Sequence, residues 1–129
     1  MIGTSSIANT AGIMSLLCSF GVVYPTFVHL TSPKNINYRQ LVCNISYVGL
    51  ILSICLGLIH GLLTTQINNI DYSDINTYWL YAGGLFAFDL LIFLAIAFSE
   101  LKRNLEKFNY FNYALLLLLI FHVGQKIIF

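Results

Sequence analysis

The sequence predicts an all-α membrane protein: a bundle of four transmembrane helices forming a single domain over residues 1–129. Three observations carry this. Of 129 residues, 58% are hydrophobic and only 9% charged, with a mean hydropathy of +0.82, whereas soluble domains average about a quarter charged. So large an apolar excess cannot be hidden in a core this small, because short chains bury a smaller fraction of their surface. Next, four apolar runs, at about residues 7–30, 41–64, 77–98 and 109–127, are each long enough to cross roughly 30 Å of hydrocarbon at about 1.5 Å per residue. Finally, the stretches between them, "TSPKNINYRQ", "TQINNIDYSDIN" and "SELKRNLEKF", are short and polar.

The first run has no basic start and is too long for a cleavable leader, so it reads as a retained span. Pro25 falls in its last turns, where the missing N–H predicts a kink, and Pro33 sits in the loop beyond. The second run ends in "LILSICLGLIHGLL", which puts His60 close to its far end. Gly57 and Gly61, four apart, offer a smooth surface for close helix approach, and Gly61 could equally make room for a flat macrocycle beside His60. The third run opens with "TYWLY", continues through Gly83 and Gly84, which likewise offer a smooth surface for close helix approach, and holds Asp89 at the middle of "LFAFDLLIF". A carboxyl there is expected to be a buried acid, hydrogen-bonded to a neighbouring helix or part of a proton or ligand path. The fourth run closes the chain as "FNYFNYALLLLLIFHVGQKIIF", with His122 near its far end. No internal repeat is legible, and no loop is long enough to fold as a soluble unit.

Orientation follows from the cations. Lys34 and Arg39 lie between the first two runs, and Lys102, Arg103 and Lys107 between the last two. The middle loop holds Asp71 and Asp74 without a cation, and only Lys126 sits at the opposite end. The positive-inside rule therefore places both basic loops in the cytoplasm or its equivalent and both termini on the outer, periplasmic or lumenal, side.

A net charge of +1 leaves no basic stripe for nucleic acid, and no P-loop, dinucleotide fingerprint or nucleophile motif appears. Cys18, Cys43 and Cys55 lack metal-ligand spacing and read as small packing residues. His60 and His122 remain. Both come at the outer ends of their spans, at similar depth. An imidazole in hydrocarbon is costly without a partner. Paired histidines from two helices are the usual clamp for the iron of a b-type haem; a histidine that snorkels or bonds a carbonyl is the plainer alternative.

From Arg39 to Lys126 the chain resembles the ferric-reductase-like transmembrane proteins of cyanobacteria and plastids. The likeness is carried by Arg39, "HG" at His60–Gly61, "TYWLY" at Thr77–Tyr81, Tyr113 and "FHVGQK" at Phe121–Lys126. Where that family has Leu-His, thirteen residues before the final histidine, this chain has Phe108–Asn109; counting back similarly from His60 gives Ser46 and Tyr47. Ligands so spaced lie roughly 20 Å apart along a helix. The resemblance therefore implies an outer haem pair, His60 and His122 as axial iron ligands, with Asn109 marking a lost inner ligand position.

It further implies one haem b in an electron-transfer or structural component of a larger membrane complex, with lipid and other membrane subunits as partners. There is no room for a flavin or nicotinamide domain, so no complete reductase activity is expected of this chain. Abundant Asn, Ile, Tyr and Phe fit an AT-rich genome, hence a plastid thylakoid or a bacterial inner or thylakoid membrane. Two other readings stay open. One is a haem-free accessory subunit of a photosynthetic or respiratory complex, its histidines holding a chlorophyll magnesium or nothing. The other is a succinate dehydrogenase membrane anchor, which "HGLLTTQINNIDY" resembles in the spacing from histidine to Asp71–Tyr72.

The topology has a direct check. Cysteines placed at Ser73 and at Asn104 should be labelled by an impermeant maleimide from opposite faces, Asn104 from the cytoplasmic or stromal one. Labelling of position 73 from that face would reverse the assignment.

Overall fold

The computed structural model of the chain describes residues 4–27, 36–67 and 75–128. These residues are all-helical apart from two short breaks, at Ala97 and at residues 102–104. The helices are α1 (Thr4–Phe27), α2 (Ile36–Ile67), α3 (Ile75–Ile96), a short α4 (Phe98–Leu101) and α5 (Leu105–Ile128). Three stretches, Ser6–Phe27, Arg39–Thr64 and Tyr78–Ile96, are long and apolar enough to cross a membrane. The expected fourth, α5, has comparable length at 24 residues, but Asn109, Asn112, His122 and Gln125 dilute its apolar run. His29, Pro33, Lys34, Asp71, Tyr72 and Asp74 lie outside the described residues.

The long helices pack around a square. α1 lies against α2 and α5, and α3 lies against the same two, so α1 faces α3 and α2 faces α5 across the diagonals. The α1–α2 seam is the most extensive, and its sequence explains why. Small residues line both sides: Ala8, Ala11, Ser15 and Ser19 on α1, and Ser46, Gly49 and Ser53 on α2, are all buried. A Cβ at Gly49 would stand 2.7 Å from the Cys18 carbonyl oxygen. The backbones therefore approach as closely as small residues permit.

That approach puts hydroxyls within reach of carbonyls. Ser15 Oγ donates to the Ser53 carbonyl at 2.8 Å, and Ser53 Oγ to the Ser15 carbonyl at 3.1 Å. Ser19 Oγ reaches both the Ser15 carbonyl (2.9 Å) and Ser53 Oγ (3.1 Å), and Ser46 Oγ donates to the Val22 carbonyl at 2.8 Å. The outside is the reverse. Leu17, Phe20, Val48, Leu52, Leu85 and Leu117 are exposed. Hydroxyls inside and large apolar side chains outside invert the soluble pattern and suit a lipid solvent.

Beyond α3 the structure departs from the expected decapeptide loop. Ala97 interrupts the helix, Phe98–Leu101 forms a single turn, and α5 begins at Leu105. Asn104 caps it, accepting the Lys107 N–H on Oδ1 at 3.3 Å. The charges mask a helical face: Leu101, Leu105 and Phe108 are all buried, and Phe108 meets Phe98 edge-on at 5.7 Å. Arg39 on α2 donates to the Lys102 carbonyl at the end of α4, as basic side chains do at helix C-termini.

A repeat unseen in the residue identities appears in the burial. Buried Ala11, Ser15, Ser19, Val22 and Thr26 on α1 correspond, at one constant offset, to buried Gly83, Ala87, Leu91, Leu94 and Phe98. Buried Cys43, Ser46, Leu50 and Ser53 on α2 correspond likewise to Leu105, Phe108, Asn112 and Leu115. α1–α2 and α3–α5 are thus two packed helix pairs that bury corresponding faces.

Glycine substitutions separate seam from surface. Gly49→Ala should cost about 1–3 kcal/mol through forced separation of α1 and α2. At Gly61 nothing lies within 4 Å of where a methyl would stand, so alanine there should gain up to about 1 kcal/mol from helix propensity. Denaturation of the detergent-solubilised protein measures both.

Candidate functional site

The repeat carries over to the histidines. On α2, His60 Nδ1 lies 2.7 Å from the Ala8 carbonyl oxygen of α1, and a Cβ at Gly12 would stand 2.7 Å from that ring nitrogen. On α5, His122 Nδ1 lies 3.0 Å from the Leu80 carbonyl oxygen of α3, and a Cβ at Gly84 would stand 2.8 Å from the ring's Cε1. Each imidazole thus bonds one carbonyl and lies on the glycine four residues further along the helix that supplies it. Only glycine leaves the ring that seat.

The chemistry of the pair follows. A carbonyl only accepts, so Nδ1 carries a proton in both rings, and the neutral form of each has its lone pair on Nε2. This is the tautomer of a histidine whose second nitrogen ligates a metal while a main-chain carbonyl holds the first. The rings themselves are not brought together: His60 lies against α1 and His122 against α3. Among the described residues no group of three or more His, Cys, Asp and Glu side chains converges on one point.

The inner positions are taken by other interactions. Tyr47, where counting back from His60 arrives, packs on Phe98 with ring centroids 5.0 Å apart. Asn109, read as a lost ligand position, accepts the Thr26 hydroxyl proton on Oδ1 at 2.8 Å. The same Thr26 oxygen accepts from Asn112 Nδ2 at 2.9 Å, so one hydroxyl joins two amides across the α1–α5 seam. Asn112 is fully buried, and among the described residues its Oδ1 finds no donor. Gln125 Oε1 is equally without a donor, buried against Gly83 one turn beyond His122.

Two expectations change. Asp89 is not a buried acid: its side chain is exposed on the outward face of α3. Apart from Asp89 the middle of α3 is apolar on every side, so no second polar residue marks which face turns inward. Gly61 borders no packed group; the glycines that seat the rings are Gly12 and Gly84. In the sequence Gly84 belongs to a pair that reads as a close-approach surface, and Gly12 carries no signal beyond being a glycine in a helix. Asn112 and Gln125 escape a sequence reading because single amides in an apolar run carry no spacing.

Compared with known protein families, curated proteins and solved structures, the chain matches none.

The Thr26 junction makes a sharp prediction. Thr26→Val strands both Asn109 and Asn112 and should destabilise by about 1–3 kcal/mol for each stranded group. Thr26→Ser, which keeps the hydroxyl, should retain most of the stability. A chemical melt of the purified protein compares them, and equal stability of the valine and serine variants would remove the junction's role.

Proposed function

We propose that the chain is a small multi-pass membrane subunit of a larger assembly, with His60 and His122 the axial ligand pair for one b-type haem near the outer face. The observation that supports this is the matched pair of imidazoles. They stand at corresponding positions of the two hairpins, on the diagonally opposed α2 and α5, and each is held by a carbonyl as an Nε2 base. Cofactor sites in helix bundles are built from side chains on such facing helices. The resemblance to ferric-reductase-like transmembrane proteins supports the same pair and the lack of an inner one.

The roles of this chain's own groups are limited and definite. The Ala8 and Leu80 carbonyls fix the tautomer, and Gly12 and Gly84 let the rings pass the neighbouring helices. The haem, when bound, would supply one-electron transfer. Thylakoid or bacterial inner membranes are the proposed setting, and the basic loops are proposed to face the cytoplasm or stroma.

A second reading has its own observation. The rings fill glycine notches in two different seams, so they can act as bolts between helices, in a haem-free accessory subunit. A pyridine haemochrome assay on the purified protein decides between the two. The haem reading expects about one haem per chain with a six-coordinate, low-spin spectrum. His60→Ala or His122→Ala should each abolish or convert it, the double variant should add little, and His29→Ala should leave it intact. No haem in the wild type, with both single variants merely less stable, establishes the bolts.

A further inference from the structure

Asp89 stands on the outward face of α3, with exposed Leu85, Phe86 and Phe93 one turn to either side. It lies within the apolar stretch Tyr78–Ile96, about 10 Å along the axis from Ile96. A carboxyl on a single methylene cannot snorkel that distance, as the long stems of lysine and arginine do. The repeat shows what the position is for: its counterpart on α1 is Leu17, 54% exposed and an ordinary outward-facing leucine. In Asp89 an acid occupies a site that the architecture gives to lipid. No hydrogen bond or ion pair engages it among the described residues.

A carboxyl in hydrocarbon is costly until it meets a donor or a cation. The described residues of this chain lend it no cation. Of the six basic residues, Arg39, Lys102, Arg103, Lys107 and Lys126 lie near the ends of the long helices or in the connection between α3 and α5, and Lys34 lies outside the described residues. A second copy inserted in the same direction would set Asp89 against Asp89. We propose that the Leu85, Phe86, Asp89 and Phe93 face of α3 is the docking surface for a transmembrane helix of a different protein, one that carries a lysine or arginine at the depth of Asp89. The apolar side chains supply packing area, and the ion pair fixes depth and rotation. The inference identifies the partner face of the proposed subunit; it rests on α3 crossing a membrane and is independent of the histidines.

The test uses the full chain in phosphatidylcholine vesicles with a synthetic polyleucine helix bearing one lysine at matched depth, read by energy transfer between labels. The wild type should bind the lysine helix about fivefold to tenfold more tightly than an all-leucine helix. Asp89→Leu, which inserts at least as readily, should erase that preference, and Asp89→Glu should keep part of it. Equal binding of both helices by the wild type overturns the proposal, as does a preference that survives in Asp89→Leu. Self-association of the wild type that Asp89→Leu abolishes also overturns it, making a second copy the partner. Labelling of Ser73→Cys and Asn104→Cys from one face would show that α3 does not cross, and would remove the membrane reading and this inference together.

Discussion

With no methyl at position 49, the backbone of α2 comes against the Cys18 carbonyl of α1, and that spacing governs everything else in the first hairpin. A serine side chain is short. Its oxygen spans to the opposite helix only where the axes lie close, so the reciprocal bonds between Ser15 and Ser53 exist because Gly49 permits them. The same proximity brings Ala8 within reach of His60. Packing, hydroxyl satisfaction and ring placement are one constraint seen at three positions along the seam.

The second hairpin keeps the plan with other materials. Leu91, Phe108 and Leu115 stand where the first has Ser19, Ser46 and Ser53. Larger side chains hold α3 and α5 further apart and replace hydroxyl bonds with aromatic and aliphatic contact, such as Phe93 on Phe111 at 5.1 Å. Close approach survives only toward the end, where Gly83 and Gly84 admit Gln125 and His122. The histidine seats recur in two halves that otherwise share almost no side chains.

That contrast explains what could be read in advance. Apolar runs and their punctuation revealed the helices, because length and composition are local properties. The two histidines stood out because polarity in an apolar run is costly. The repeat was hidden, since it consists of inward-facing positions and not of identities: nothing links Ser46 to Phe108 until both are seen buried. The short connection before α5 was hidden by its charges, which drew attention from the helical spacing of Leu101, Leu105 and Phe108. The outward turn of Asp89 was beyond reach for a different reason, because a helix apolar all round apart from that acid has no polar face to orient it.

The polar groups also show how far each hairpin is satisfied on its own. Every buried hydroxyl of α1 and α2 at their common seam, and the His60 Nδ1–H, finds its acceptor within those two helices. The first hairpin can therefore close as soon as it is made. Asn109 and Asn112 on α5 depend instead on Thr26, near the end of α1. Thr26 in turn needs Asn109 to accept its proton, and Arg39 of α2 donates to the Lys102 carbonyl, so at this end the two hairpins depend on each other.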